Sequence, residues 1–306
     1  MLQKAYGLFF ISLSLCGLCI SQPAYAASIT PSHVYAQAER IYADVLSIKA
    51  HNKLTARIEH TDIKVQLRPR HVWQKTYEIL VKLNLYHRNQ YPGVAPGSIE
   101  PIKDLPPQLV YDQTQRILLE IRLIKNRLNI TTPTPAAKHY RNKVPTDVYN
   151  LLSRASRELD IINSTGLTPS NVFGQVFRIN SDIDLILYTL GVADQSIPPS
   201  KQADSLPKDA FKAGMALKQT INTLQRKLAI PVTDFSALEN GHVTPSHVFA
   251  LIGLITAELQ EIKFALSLQH QRTPAAKFYQ GKIPADVEQL LGWCNNKLMQ
   301  VRSVQF

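Results

Sequence analysis

One short signature occurs eight times along the chain and constrains the fold more than any other feature. It consists of an apolar residue or threonine, a proline, two variable residues, and then valine or alanine, with small departures. The prolines are Pro31, Pro69, Pro107, Pro145, Pro169, Pro207, Pro245 and Pro284. They are separated by 38, 38, 38, 24, 38, 38 and 39 residues. Spacing this regular indicates an internal repeat.

The residues after each proline have helical spacing. Positions 4, 7, 11 and 14 after the valine or alanine are nearly always apolar, as in Val248, Ile252, Ile255, Leu259 and Ile262. Steps of four and three place these side chains on one stripe of an α-helix, whereas a strand needs a period of two. Proline suits the first helical position because its φ is already helical and its missing N–H would have no partner there. Each signature therefore predicts the start of an amphipathic helix.

The series of intervals also reveals a duplication. Three pairs of equivalent prolines are 138 residues apart and the fourth pair is 139 apart, and residues 134–148 match residues 273–287 at ten of fifteen positions. The sequence predicts an all-α fold, a tandem duplication of a four-helix unit with eight Pro-initiated amphipathic helices. Residues 27–165 form the first unit and residues 166–306 the second, as two helical bundles or one continuous helical repeat. We expect each unit to fold separately.

The direction of neighbouring helices is left open by the spacing. A helix of about 22 residues is roughly 33 Å long. The remaining ~14 residues of a period are long enough, when extended, to return to its start. Consecutive helices are therefore either parallel with long return links or antiparallel with extra helical turns in the links. We favour antiparallel neighbours, because short connections are usual in helical bundles.

The first 26 residues have the pattern of a signal peptide. Lys4 precedes an uncharged apolar run over residues 8–20, and Ala-Tyr-Ala at 24–26 offers a cleavage site. The run is too short to favour a retained anchor. Cys16 and Cys19 each follow leucine rather than the small residue expected in a lipoprotein. We predict a periplasmic or secreted protein with no transmembrane segment after signal removal.

Composition and motifs exclude several classes. The chain has 306 residues, 45 % hydrophobic, with a net charge of +11, which is a globular composition rather than a disordered one. Cys294 is the only cysteine after residue 26, so no internal disulfide is expected, and it lies on a helical seam as a core side chain. No nucleophile-elbow, zinc-protease, Walker or dinucleotide motif occurs. We therefore predict no catalytic residue, metal or cofactor.

Two sets of signature residues have a structural and a functional interpretation. Seven aromatic residues follow the signature valine or alanine: Tyr35, Trp73, Tyr111, Tyr149, Phe173, Phe211 and Phe249. They either line a ligand cavity or, as we favour, pack the helix entries. His33, His71 and His247 occupy equivalent positions in the first turn. Because other copies have Asp or Asn there, we favour polar contacts at an exposed helix start over a metal site.

The best-preserved segment is a loop of sequence Thr-Pro-Ala-Ala-Lys-x-Tyr before the fourth helix of each unit. Loops on a rigid scaffold commonly carry binding residues. The candidate binding residues are Lys138, Tyr140, Lys143, Lys277, Tyr279 and Lys282. Lysine offers point charges for an anionic group, and tyrosine offers amphipathic contact area. The alternative is that these loops only fix the entry of the next helix.

The sequence favours an exported, non-enzymatic helical-repeat protein of the cell envelope that acts by binding or as an adaptor. Its loops and helix ends would contact a protein or an anionic envelope component. The positive charge does not indicate nucleic acid in an exported chain without a nucleic-acid-binding motif. The alternative is a sensor-like or carrier module that holds a small ligand between its helices. Oligomeric state is not predicted.

Overall fold

All eight signature prolines begin α-helices. The computed structural model describes residues 28–57, 61–87, 99–164, 166–238 and 242–303. The helices are α1 (Pro31–His51), α2 (Pro69–His87), α3 (Pro107–Arg127), α4 (Pro145–Ile162), α5 (Pro169–Thr189), α6 (Pro207–Lys227), α7 (Pro245–Ala265) and α8 (Pro284–Met299). Single 3-10 turns occur at Ser236–Leu238 and Gln300–Ser303. No strand is present in these ranges, so the all-α prediction is confirmed.

The predicted signal peptide, residues 1–26, lies outside the described residues. Within the described ranges, no helix combines the length and the apolar composition needed to span a bilayer. Cys294 lies in α8 and is fully buried. Burial raises the pKa of its thiol to about 12, as expected for a core side chain.

The same contact caps the start of seven of the eight helices. The third helical residue accepts a hydrogen bond from the backbone N–H of the residue before the proline, at 2.9–3.1 Å. The acceptors are His33, His71, Asp147, Asn171, Asp209, His247 and Asp286. The three histidines are therefore capping residues, which confirms the interpretation as helix-start contacts. The expectation that they are exposed is wrong for His71, which is fully buried where the two units meet.

The aromatic residues of the signature belong to the core. Trp73, Tyr149, Phe211 and Phe249 are buried, with 3–7 % of their surface exposed. Three further rings, those of Tyr35, Tyr111 and Phe173, are half-buried and pack against the same core. This arrangement confirms that these residues pack the core, and two of them, Tyr149 and Phe211, also line a cleft between the two units.

Within each unit the four helices run parallel. α1 packs against α3 and α4, and α2 packs against the same two helices, so α1 lies diagonally opposite α2 and α3 lies diagonally opposite α4. At the start of α1, Ser32 Oγ accepts a hydrogen bond from the Lys143 N–H, two residues before α4. Near the ends of both helices, Lys49 Nζ lies 2.6 Å from a Glu158 oxygen. The second unit has equivalent contacts. The antiparallel prediction is therefore wrong.

Extended links make the parallel arrangement possible. After α1, the chain returns along α4 to the start of α2. The Asn150 amide contacts both the N–H and the carbonyl of Ile63 at 3.0 Å. The Thr146 hydroxyl accepts from the Leu67 N–H and donates to the Val65 carbonyl, both at 2.9 Å. Because α4 side chains satisfy the backbone of the link, the link does not need secondary structure of its own.

An ion pair is buried at equivalent places in both units. In the first unit, Lys125 of α3 donates to Asp44 of α1 at 2.6 Å, and Thr134 donates to the second carboxylate oxygen at 2.7 Å. The corresponding residues of the second unit are Lys263, Asp182 and Thr273. Both oxygens of each carboxylate have a donor, which is the condition under which charges are tolerated in a core. These contacts join the first and third helices of each unit to the loop that follows.

The two units meet where α2 packs antiparallel against α7. His71 at the start of α2 contacts Glu258 in the second half of α7. Farther along α2, Gln74 lies against Gly253 of α7. Residues 71–80 of α2 are all buried, because the helix is covered by its own unit on one side and by the second unit on the other. Buried apolar residues of both units form one continuous core.

Small residues on α7 explain why α2 packs there. The α7 face against α2 contains Gly253, with the small Ala250 and Ala257 one turn to either side along it. The equivalent residues of α3 are Asp112, Gln115 and Leu119, all exposed. Small side chains let two helices approach closely, whereas the larger ones on α3 hold a neighbour away. The α7 face of the second unit therefore allows α2 to pack closely against it.

The separate folding of residues 27–165 and 166–306 stays a prediction, and the burial of α2 sharpens it. We expect the first unit alone to expose the face of α2 that α7 covers and to melt at a lower temperature than the full chain. Mixing the two fragments should restore cooperative melting at the higher temperature. Thermal denaturation followed by circular dichroism, on each fragment and on the mixture, measures this. Equal melting temperatures for the first fragment and the full chain would contradict it.

Candidate functional site

The first duplicated loop is held against α1. Lys138 Nζ lies 2.8 Å from a Glu39 oxygen, and the Tyr140 hydroxyl donates to the other Glu39 oxygen at 2.6 Å. The Tyr140 ring packs edge-on against Tyr35, with centroids 4.9 Å apart. Lys143 Nζ lies 4.4 Å from the centre of the Tyr35 ring. Three of the predicted binding residues therefore contact the helix that their own loop packs against.

The second loop makes a similar contact with α5. Lys282 Nζ lies 4.4 Å from the centre of the Phe173 ring, and the Tyr279 ring is 5.1 Å from the same ring. Lys277 is exposed, and so is its neighbour Phe278, with 58 % of its surface accessible. The loops thus fix the entry of α4 and α8. Their predicted role in binding is not tested by these contacts, and each loop lies on its own unit.

A cleft between the two units contains the main group of ionisable side chains. Its volume is about 930 Å³. The link before α2, together with α2 and α4, lines one side, and the segment around the start of α7 lines the other. The charged and titratable residues in its wall are Asp62, Lys75, Glu78, Lys82, Tyr149, Arg154, Arg157, Asp160, His242 and His247. This cleft is the candidate functional site, because concave sites with perturbed titratable groups are where ligands usually bind.

Glu78 of α2 is the centre of a buried polar network in this cleft. Lys75 Nζ donates to one of its oxygens at 2.5 Å, and the Ser156 hydroxyl donates to the other. Lys82 Nζ lies 3.1 Å from Glu78 and 2.7 Å from Ser156 Oγ. Burial opposes ionisation of Glu78, but the two lysines outweigh it and lower its pKa to about 2. Glu78 is therefore a carboxylate at neutral pH.

Asp160 joins this network to the second unit. Lys82 Nζ donates to one Asp160 oxygen at 2.9 Å, and Ser246 in the first turn of α7 donates to the other at 3.0 Å. A carboxylate at this position also meets the positive end of the α7 dipole. One acidic side chain thus links α2, α4 and α7 at the floor of the cleft.

His247 faces the cleft as a neutral imidazole. Its Nδ1 accepts a hydrogen bond from the Thr244 N–H at 3.1 Å, so the ring proton is on Nε2. The pKa of His247 is lowered to about 4, mainly by burial, and the nearby cations Arg157 and Lys75 act in the same direction. Tyr149 is neutral as well, because burial and the charge of Glu78 raise its pKa well above 10.

The arrangement is suited to holding a ligand. Ser156 lies beside Lys82, the pair used by some hydrolases, but its hydroxyl proton is directed to Glu78. A carboxylate with a pKa of about 2 is a weak base and does not activate a hydroxyl at neutral pH. Ser156 and Lys82 are also almost inaccessible to solvent, with 1 % of the surface of each residue exposed. Within the described ranges, no group of three or more His, Cys, Asp or Glu side chains is placed to hold a metal ion.

Comparison with protein-family models, curated proteins and solved structures finds no match to this chain.

The cleft was missed in the sequence because its residues are not repeated. The positions of the second unit equivalent to Lys75, Glu78 and Lys82 hold Ala213, Ala216 and Thr220. Those equivalent to Ser156 and Asp160 hold Asn295 and Met299. A comparison of the two copies for charged residues present in only one of them would have found this cluster.

Proposed function

We propose that the protein is an exported, non-enzymatic binding protein that holds a small ligand in the cleft between its two four-helix units. The cleft supports this proposal, since it combines an adequate volume with buried charged and polar groups from both units. A periplasmic or secreted location remains part of the proposal and rests on the signal-like residues 1–26.

The contrast between the copies favours the cleft over the loops. The duplicated seams and helix starts keep their residue types because both units need them to fold. In the cleft, charges such as Glu78 and Lys75 stand where the second unit has alanine. Well-packed apolar residues usually stabilise a fold at least as much as a buried ion pair does, so a fold alone does not require these charges. Ligand binding gives these residues a role in the first unit that the second does not share.

The proposal predicts that a bulky side chain in the cleft abolishes retention of a small molecule. Ala250 of α7 is half-buried and lines the cleft beside the α2–α7 contact, so Ala250→Trp should fill the cleft, with Ala250→Leu giving a smaller loss. A melting temperature equal to that of the wild type would show that α2 still packs against α7. Ala216→Trp is the matched control, because Ala216 is an exposed helical residue outside the cleft wall. Native mass spectrometry of each purified protein measures the bound mass, and circular dichroism checks folding.

Two results would contradict the proposal. One is a wild-type protein without any retained small molecule. The other is equal retention in Ala250→Trp and in the wild type. If a protein co-purifies and no small molecule does, the adaptor hypothesis is favoured, with exposed Lys277 and Phe278 as its contact residues.

A further inference from the structure

We infer that the ligand of the cleft is a compact anion, a carboxylate or phosphate group, bound by Ser153 and Arg154 of the first unit and His247 of the second. The inference rests on the proposed function and names the chemistry of its ligand. It follows from an excess of hydrogen-bond donors in the cleft wall.

The carboxylates of the cleft already have donors within the chain. Both oxygens of Glu78 and both oxygens of Asp160 accept hydrogen bonds. Asp62 accepts from the Arg154 Nη2 at 2.6 Å. A cationic ligand would therefore have to displace an existing partner from Glu78 or Asp160, and it would have to share Asp62 with Arg154. The carboxylates of the cleft therefore do not favour a cationic ligand.

Three donors, in contrast, have no acceptor. Ser153 Oγ and Arg154 Nε are buried atoms without a hydrogen-bond partner among the described residues. A buried donor without an acceptor costs about 1–3 kcal/mol, so it needs an explanation. His247 Nε2 carries its proton and makes no hydrogen bond in the described part of the chain, but this atom is accessible to solvent, unlike the other two. All three residues line the cleft, so a ligand whose acceptor oxygens reach Ser153 Oγ and Arg154 Nε, which are closed to solvent in the free protein, would satisfy these donors.

The charge of the cleft has the matching sign. Among the described residues, the wall contains the cations Lys75, Lys82, Arg154 and Arg157 and the carboxylates Asp62, Glu78 and Asp160. His247 adds no charge at neutral pH, so without the exposed His242 the described part of the wall carries one excess positive charge. The start of α7 adds the partial positive charge of a helix N-terminus. Partial exclusion of water strengthens the attraction for an anion.

In both units the link before the second helix lies along the fourth helix, and in the second unit it packs directly onto the residues equivalent to Ser153 and Arg154. The counterparts of Ser153 and Arg154 are Gly292 and Trp293. Pro199, in the link between α5 and α6, lies so close to Gly292 that a Cβ added to Gly292 would be 2.9 Å from the Pro199 ring. The Trp293 indole N–H donates to Ser196 Oγ in the same link. The counterpart of His247 is Leu109, which makes no cap. Each of the three donors is thus present only where the cleft is open.

Isothermal titration of the full chain with sodium phosphate, sodium acetate and spermidine, at constant ionic strength, tests the inference. We expect phosphate or acetate to bind and spermidine not to bind. Tighter binding of phosphate than of acetate would identify the phosphate source, and the reverse order the carboxylate source. Arg154→Lys keeps the charge but removes Nε–H, and we expect it to weaken binding at least about tenfold, the effect of losing one charge-assisted hydrogen bond.

His247→Asn removes the second donor while keeping the cap, because Asn171 caps α5 at the same position. We expect a similar weakening. The matched controls are His33→Asn, which changes a cap outside the cleft, and Arg272→Lys, which changes an exposed ion pair. Both should bind the anion within twofold of the wild type. Ser153→Ala provides a third test, and we expect it to weaken anion binding as well. The Ser153 hydroxyl makes no hydrogen bond within the described chain whose loss would affect folding.

The inference is overturned if neither anion binds, if spermidine binds instead, or if the controls weaken binding as much as the cleft variants do. These outcomes differ from failure of the proposed function. If Ala250→Trp abolishes retention of a small molecule but neither anion binds, the cleft is a binding site for another class of ligand. If no small molecule is retained and no anion binds, both proposals fail.

Discussion

Replacing Glu258 with leucine is expected to lower the free energy of unfolding by about 3–5 kcal/mol, the cost of breaking a buried ion pair from one side. Glu258 of α7 is fully buried and connects three helices. His71 of α2 donates to one oxygen at 2.8 Å, and Gln225 of α6 donates to the other at 2.7 Å. Lys218 Nζ lies 3.3 Å away. Leucine would leave the His71 and Gln225 donors buried without this acceptor, and Lys218 would keep only Asn222. Urea denaturation followed by circular dichroism measures the loss.

The matched control for Glu258→Leu is Glu120→Leu, at the equivalent position of α3. Glu120 is half-exposed, and we expect Glu120→Leu to change the free energy of unfolding by less than about 1 kcal/mol.

The contribution of Glu258 to stability also depends on pH. Burial opposes its ionisation, but His71 and Lys218 outweigh burial and lower its pKa to about 2, against an ordinary value of 4.5.

A carboxylate with a lowered folded-state pKa stabilises the protein above its unfolded pKa and loses this contribution as the pH falls through the folded value. The difference between the wild type and Glu258→Leu should therefore be constant above pH 5. It should narrow as the pH falls from about 4.5 towards 2. A loss under 1 kcal/mol at neutral pH, or a difference that does not change with acidification, would contradict this account of Glu258.

Local features of the fold were predictable because they depend on neighbours in sequence. A proline at the first helical position and an apolar stripe of period 3.6 act within one helix, and both are visible in a window of about 20 residues. All eight helix starts follow from them. The capping role of residues such as His33 and Asp147 was also accessible, because donor and acceptor are three positions apart.

The direction of the helices was not predictable in the same way. It depends on Asn150 and Thr146, which satisfy the backbone of a link more than 75 positions earlier in the chain. Nothing in the link itself indicates that these partners exist. The antiparallel prediction relied on the short connections that are usual in helical bundles. In this protein the long link before α2 binds along the surface of α4 instead.

The site was missed for a related reason. Identity between the two copies drew attention to the loops, but residues shared by both units are those that both need for folding. Lys143 and Lys282 illustrate this, since each lies over an aromatic ring at the start of the first helix of its unit. The cleft forms between unlike surfaces of the two units. Its residues are therefore the ones that differ between the copies, such as Glu78 and Ala216.

Replacing Ile121 with aspartate is expected to unfold the first unit. Ile121 lies in the apolar seam of α3 and is fully buried. Loss of a large apolar side chain from a core costs about 2–5 kcal/mol. A lone buried carboxylate adds several kcal/mol more, because Lys125, one turn farther along α3, is already paired with Asp44. Together these costs approach the total stability of a typical domain, about 5–15 kcal/mol. Circular dichroism should show loss of a large part of the helical signal.

Leu123 provides the control on the same helix, two residues away. Its side chain is 48 % exposed, so Leu123→Asp places an identical carboxylate in water. We expect the melting temperature of Leu123→Asp to stay close to that of the wild type, because surface substitutions usually change stability by no more than about 0.5 kcal/mol. A cooperative, wild-type-like melting curve for Ile121→Asp would show that the seam position is not the core of the bundle. Equal losses for both variants would show that α3 tolerates no charge on either face.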